Sequence, residues 1–480
     1  MPTINDILVL LPEFYLVAAA CLLLLMDAFI KPEQRGTLHW CSIVVLLVAI
    51  YLVIAGQPDV TVTAFGNMFI RDPASEIIKV FVLLCTVLVF IFSRPYLIDR
   101  KRFVGEFYTL MIFAVIGVML MVSAGNLVMI YLGLEMLTLS SYALVALNRD
   151  SPLSSEAAIK YFVLGALTSG MLLYGMSMVY GAAGTLDLAQ LHEAIAQGTV
   201  SRLMVFGLIF MLVGIAFELG AAPFHMWIPD VYQGASTPVT TFIASVSKLA
   251  AFGLAWRLLD TGLAGLSNYW QPMLAVISVL SMGIGNLVAL VQTNIKRMLA
   301  YSTIAHMGFL LMGITNATPG GYASAMFYAI CYALMSTVAF GVVLAMARAG
   351  FECEEISDLK GLNERSPWFA GMMAISMFSL AGVPPLFGFY AKYLVLQAAI
   401  NAGYLWLAIC GIVMAIIGLW YYLHVIKVMY FDQPEEGGAT VSASDSSLRV
   451  VLSLNGLALL ALGVYWGPLL GWCRRSLGLS

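Results

Sequence analysis

Residues 215–248 read IAFELGAAPFHMWIPDVYQGASTPVTTFIASVSK: an apolar helix with one acid, Glu218, a break at Pro223, and a second apolar helix with one lysine, Lys248. In a hydrocarbon layer about 30 Å thick, an ionised side chain costs at least about 2.5 kcal/mol and is tolerated where it faces a partner or water. Glu218 and Lys248 are therefore candidate functional groups. Pro223 removes a backbone donor, and backbone opened at that depth survives only where protein or a water-filled cavity covers it. Acid, break and lysine together point to a path for protons.

The rest of the chain supports a membrane setting. Of its 480 residues 61% are hydrophobic and only 10% charged, the composition of a polytopic membrane protein. A net charge of -3, with no basic run longer than Arg100, Lys101 and Arg102, argues against nucleic acid as a partner; the triplet reads as a topology signal. Seven scattered cysteines, without a CxxC pair or metal-ligand spacing, argue against an iron–sulfur or zinc site. The glycine-dense MGIGNL, around Gly283 and Gly285, lies inside an apolar span with no strand before it, which excludes nucleotide binding there. No basic n-region precedes the first apolar segment and no A-x-A site follows it, so it is expected to be a retained span.

Apolar windows long enough to cross predict an all-α integral membrane protein of about fourteen spans. They lie near 7–26, 38–56, 74–93, 105–124, 127–147, 156–181, 203–227, 238–258, 271–290, 295–314, 323–347, 368–397, 404–428 and 448–470. Connections after odd-numbered spans hold most of the Lys and Arg, Arg100, Lys101, Arg102, Lys296, Arg297 and Arg348 among them. The opposite side holds Arg71, Arg202, Arg257, Arg474 and Arg475. The odd connections are then cytoplasmic and both termini face outward, with Arg474 and Arg475 running against the rule. Leucines and alanines at helical spacing in 186–196 predict an interfacial helix; 351–366 is a polar loop, and 432–447 is rich in Glu, Gly and Ser. The break of span seven recurs in span twelve as LAGVPPLFGFYAK, with Pro384 and Pro385. We therefore divide the chain into N-terminal spans (1–104), two inverted five-helix repeats (105–258 and 271–430) and a last span (448–470), since paired broken helices at matching positions mark an ion site.

Five spans each carry one titratable group near the midpoint: Glu135, Glu218, Lys248, His306 and Lys392. Charges placed at random would gather at helix ends, where side chains snorkel, as expected for Lys296, Arg297 and Lys427. A row at mid-depth suits proton transfer, because burial pulls carboxyl and ammonium pKa values toward each other. Each has a structural alternative: a packing ion pair for Glu135, Glu218 and Lys248, a hydrogen-bonded core role for His306, and snorkelling for Lys392. Glu156 with Lys160, and Glu76 with Lys79, read as local pairs one turn apart. Glu13, beside Pro12 near an interface, reads as structural, and the methionines and aromatic stripes as packing or lipid-facing.

PFHMWIPDVYQGASTPVT, QTNIKRMLAYSTIAHMG and LAGVPPLFGFYAKY resemble the antiporter-like proton-pumping subunits of respiratory complex I, over nearly the whole chain. The VYQGA form of the loop, the chain length, the lysine in span twelve and the lack of a long C-terminal lateral helix narrow this to one bacterial branch. The resemblance implies a subunit of the membrane arm in the bacterial inner membrane, among other membrane-arm and peripheral-arm subunits. NADH, FMN, iron–sulfur clusters and quinone are then carried by those partners, with no cofactor in this chain. It further implies that Glu135 pairs with a group in span seven, that Lys248 bridges two half-channels and that Lys392 exchanges protons with one side. Glu218 departs from the family, which usually has lysine there, so Glu135 and Glu218 are expected to share a proton or lean on Lys248. Three alternatives stay open at this point: a subunit of a multi-subunit Na+/H+ antiporter or membrane-bound hydrogenase, a single-chain solute carrier, and a purely structural subunit.

Overall fold

A computed structural model describes residues 4–31, 34–58, 60–100, 104–198, 200–347, 352–433 and 446–479. Lys101, Arg102 and Arg348 of the topology argument, and most of the 432–447 connection, lie outside the described residues.

A short α1 (Ile4–Val9) leads into α2 (Leu11–Phe29) and α3 (Arg35–Ala55), the first two spans. A hairpin of β1 (Val62–Ala64) and β2 (Phe69–Arg71) then pairs antiparallel with Val62 opposite Arg71. The sequence reading did not include these strands. Their turn is built on Phe65, Gly66 and Asn67, all at positive φ, a conformation that Gly and Asn supply at low cost. The third to sixth spans are α4 (Pro73–Asp99), α5 (Gly105–Val122), α6 (Leu127–Ala146) and α7 (Pro152–Ala183). Asp72, Asn126 and Ser151 each accept a backbone N–H of the helix they open, and Pro73 and Pro152 stand in the first turn. A hydrocarbon-bound helix starts most cheaply with its first donors satisfied by a polar side chain, or absent.

The segment expected to be an interfacial helix forms α8 (Leu188–Gln197), which buries Leu188, Leu191 and Ile195 on one face. Next come α9 (Arg202–Leu219) and α10 (Trp227–Gly234), the two halves of the broken seventh span, which thus runs past Trp227, and α11 (Thr237–Trp256), continued by a π-helical turn, Arg257–Gly262. Spans nine to eleven are α12 (Ser267–Ala289), α13 (Ile295–Thr315) and α14 (Pro319–Met346). After a one-turn α15 (Leu362–Arg365), the broken twelfth span consists of α16 (Pro367–Ala381) and α17 (Phe387–Asn401); α18 (Leu405–Phe431) and α19 (Ser446–Val464) are the last two, and α20 (Gly467–Ser476) follows. Thirteen helices among the described residues are long and apolar enough to cross alone; the α16–α17 pair makes the fourteenth crossing.

Every residue of α11 is buried, as is α14 from Gly321 to Met346, so these two form the centre of the bundle. Around them α2, α3, α7, α18 and α19 turn wide apolar faces outward. Ion pairs between connections follow the parity of the span count. Arg257 and Asp72 (2.8 Å) join even connections, while Arg100–Glu352 (2.7 Å), Lys296–Glu354 (3.3 Å) and Arg297–Asp230 (2.9 Å) join odd ones.

Two expectations need correction. Lys296 does not snorkel: it is 3% exposed and donates to the Gln233 (2.9 Å) and Ala235 (3.3 Å) carbonyls at the end of α10. Helix-end carbonyls lack intrahelical donors and attract a cation. Nor are Glu76 and Lys79 only a local pair, since Glu13, read as structural, joins them. Lys79, fully buried, lies 2.8 Å from Glu13 and 2.9 Å from Glu76, whose other oxygen meets Arg71 at 2.9 Å. Two acids and two bases neutralise each other where α2, the hairpin and α4 meet. Glu156 and Lys160 do pair at 2.8 Å, and Lys160 also reaches Asp230.

Candidate functional site

Both broken helices end alike. α9 runs to Leu219 and stops at Gly220, in the left-handed region at φ 72°, ahead of a cis Ala222–Pro223 bond; α16 runs to Ala381 and stops at Gly382, φ 86°, ahead of a cis Pro384–Pro385 bond. The last carbonyls of each half-helix point into the break with no helical donor to meet them. A lysine meets them in each case. Lys248 Nζ, from α11, donates to the Glu218 (3.1 Å) and Leu219 (3.0 Å) carbonyls; Lys392 Nζ, from α17, donates to those of Leu380 (3.0 Å) and Ala381 (2.8 Å).

The negative end of a helix dipole therefore replaces a carboxylate as the ammonium's hydrogen-bonding partner. Each ammonium also lies over a ring, Lys248 4.8 Å from the Trp227 centroid and Lys392 5.3 Å from that of Phe309, which adds cation–π attraction. Trp227 is itself held by a bond to the Phe217 carbonyl and by stacking on Tyr161. Glycine is required at both ends on two counts. Its φ is positive, and a Cβ would fall 1.8 Å from Ile228 Cδ1 at Gly220 or 2.9 Å from Lys392 Cδ at Gly382.

The acids gather around the first break. Glu218 is buried on the last turn of α9, and the charges of both Lys248 and Glu135 act on it. Its carbonyl, however, and not its carboxylate, takes the Lys248 hydrogen bond. Glu135, on α6, is half-buried, and its buried Oε1 has no hydrogen-bond partner among the described residues. Tyr142 lies within electrostatic range of both acids.

Between the two breaks the structure places a row of hydroxyls around His306. Its Nδ1 is 2.7 Å from Tyr328 Oη and its Nε2 3.0 Å from Tyr422 Oη; Tyr422 continues to Ser302 Oγ at 2.5 Å. One turn toward the first break, Thr303 Oγ1 meets Tyr332 Oη at 2.7 Å. Tyr232 Oη, fully buried near Thr303 and Tyr332, has no hydrogen-bond partner among the described residues. On the other side Lys392 is close enough for its charge to act on His306. The five sequence-selected groups thus fall into two clusters, Glu135–Glu218–Lys248 and His306–Lys392, and beside the second lies a row of tyrosines, which the sequence reading classed with the packing aromatics, and of serine and threonine, which it did not single out. A signal was present. YSTIAH puts Ser302, Thr303 and His306 within one turn, and FYAICY puts Tyr328 and Tyr332 four apart on one helix face.

Residues 124–418 match the family described as NADH:quinone oxidoreductase/Mrp antiporter, transmembrane. The chain is 50% identical, over 99% of its length and 97% of the relative's, to a protein named NADH-quinone oxidoreductase subunit N from Xanthomonas euvesicatoria pv. vesicatoria. A chain of respiratory complex I from Thermus thermophilus, solved with bound aureothin, superposes with a TM-score of 0.83 at 30% identity, covering 96% of this chain and 98% of that one. A chain of the Mrp complex from Dietzia sp. superposes with a TM-score of 0.85 at 22% identity, covering 99% and 97%. The last likeness is one of fold alone. The scaffold is common to both kinds of assembly, whereas sequence identity separates them.

Proposed function

The chain belongs to the NADH:quinone oxidoreductase/Mrp antiporter family, and from that premise we propose how its side chains move protons. It is a proton-translocating subunit of the membrane arm of complex I, and it resembles the N subunits to which its loop and its span-twelve lysine pointed. NADH oxidation and quinone reduction occur on partner subunits, which carry the FMN, iron–sulfur clusters and quinone site. The protein spans the bacterial inner membrane with its odd connections in the cytoplasm and both termini in the periplasm, a reading supported by the Lys and Arg bias.

The observation that carries the mechanism is the repeated lysine at a helix break. Lys248 and Lys392 each exchange a proton without breaking a salt bridge, because the partner on each side is a pair of carbonyls that accept from either protonation state's N–H. Glu135 and Glu218 load Lys248, with one proton shared between the two acids where two carboxylates cannot both ionise cheaply. The proton then crosses by Thr303, Tyr332, His306 and Tyr422 to Lys392, with water completing the row at the orphan Tyr232 hydroxyl. Residues 105–258 and 271–430 act as two inverted copies, each with one break whose last carbonyls hold one lysine. Reconstituted complex with Glu218→Ala should lose much of the proton/electron ratio that Glu218→Lys keeps. Full pumping by Glu218→Ala would remove Glu218 from the path.

A further inference from the structure

On α13 the polar groups of the row lie on the odd side of His306, and hydrocarbon follows on the even side. The helix enters at the odd face, so Ser302 and Thr303 precede His306, whereas the eight residues after it read MGFLLMGI. α17 runs from the break to the even face, and the four residues after Lys392 read YLVL, of which Tyr393 alone has a polar atom and is exposed.

Side chains from two helices meet on a third in this stretch. Phe309, over whose ring Lys392 lies at 5.3 Å, and Met312 come from α13, and Leu396 comes from α17. All three converge on Gly411 of α18, where a Cβ would fall 2.7 Å from Met312 Cε, 3.1 Å from Leu396 Cδ2 and 3.4 Å from Phe309 Cε1. Just beyond, a Cβ on Gly313 would lie 3.0 Å from Ala325 Cβ of α14 and 3.2 Å from Val395 Cγ1 of α17. The apolar stretch ends at Asn316, the C-cap of α13, which is 3% exposed and has no hydrogen-bond partner for Oδ1 or Nδ2 among the described residues. Asn316 lies on the helix face of Phe309, Met312 and Gly313, and about 15 Å from His306 at 1.5 Å per residue. A buried side-chain amide takes partners from protein or from water, so an amide without protein partners marks where water reaches from the even face.

We propose that Phe309, Met312 and Leu396 form a gate between Lys392 and the even face, which opens when water bridges Asn316 to the lysine. Shut, it is a hydrophobic constriction, which holds back water and ions by the cost of wetting it. It opens by side-chain rotation, because Met312 is unbranched with three rotatable bonds and its methyl occupies the space that a Cβ on Gly411 would fill. With water across the gate, the Lys392 ammonium gives one proton to that water and remains as the neutral amine, its N–H groups still meeting the Leu380 and Ala381 carbonyls. The inference rests on the proposed path to Lys392 and adds to it what controls release.

The test measures passive proton flux through the whole complex in proteoliposomes, without NADH, under a potassium diffusion potential and read by an internal pH dye. The wild type sets the background. Met312→Gln keeps the length of the side chain and makes it polar; it should raise the flux about ten-fold, the factor carried by one unpaired polar group's pull on water. Met312→Leu, which keeps the gate apolar, should stay within two-fold of wild type. Leu396→Gln, at the half-buried edge of the gate, should leak as Met312→Gln does, and decides the matter if that variant fails to assemble. Adding Lys392→Met to either glutamine variant should return the flux to within two-fold of wild type, because the route runs through the lysine. An equal rise in Met312→Gln and Met312→Leu would make damaged packing the cause, and a leak that survives Lys392→Met would place the route elsewhere; either result overturns the gate. Glutamine variants as tight as wild type would also overturn it, and would leave the path itself standing where Lys392→Met alone lowers the proton/electron ratio.

Discussion

Lys248→Arg separates a lysine that moves protons from one that only packs. The substitution keeps a cation over Trp227 and donors for the Glu218 and Leu219 carbonyls, which lie 3.1 and 3.0 Å from the native ammonium. Assembly should therefore survive. Arginine's reference pKa lies at least about two units above lysine's, and each unit is about 1.4 kcal/mol. Giving up the proton then costs at least about 2.7 kcal/mol more, a slowing of about 100-fold in the release step. Lys248→Met fails for a different reason. It has no proton to release and leaves two buried carbonyls without donors, at about 1–3 kcal/mol each, partly offset by no longer burying an ammonium. Both variants, purified within the intact complex and reconstituted, should show a lower proton/electron ratio by pH-sensitive dye against NADH consumption. If Lys248→Arg pumps at the native ratio with unchanged assembly, Lys248 is a structural cation and the path through it is wrong.

Tyr422→Phe removes the hydroxyl between His306 and Ser302 without changing ring packing; it should slow proton transfer several-fold and change thermal stability by only about 1 kcal/mol, and an unchanged pumping rate would take Tyr422 out of the row. Lys79→Met leaves Glu13, Glu76 and Arg71 with two buried acids against one base, and breaking a buried ion cluster from one side costs about 3–5 kcal/mol. The complex should lose α2 and α3 to early proteolysis, and a protease digest indistinguishable from wild type would show that the cluster contributes little.

Membrane location, span count and candidate acids and lysines were legible in the sequence because the bilayer imposes local rules. A crossing helix needs an apolar run of set length, and a charge inside it stands out against that run. The breaks at Pro223, Pro384 and Pro385 were legible for the same reason, proline being a local statement about backbone hydrogen bonding. What a side chain touches is not local. Lys296 and Lys427 both sit near helix ends, yet only Lys427 remains exposed, paired with Asp432, while Lys296 is drawn in by the end of a half-helix more than sixty residues away in sequence. Glu13 reads as structural from its sequence, but only the packing of α4 against α2 shows that its partner is Lys79.

The same distinction divides the site. Sequence alone determined that Glu135, Glu218, Lys248, His306 and Lys392 sit singly in greasy helices, since a lone charge in hydrocarbon can be recognised without knowing its neighbours. Only the tertiary structure decided that the two lysines bind helix-end carbonyls instead of carboxylates, that Tyr328 and Tyr422 flank His306, and that Tyr332 meets Thr303. A tyrosine in an apolar span is equally at home against lipid or in a polar row, and the direction its hydroxyl faces is set by which helices pack beside it.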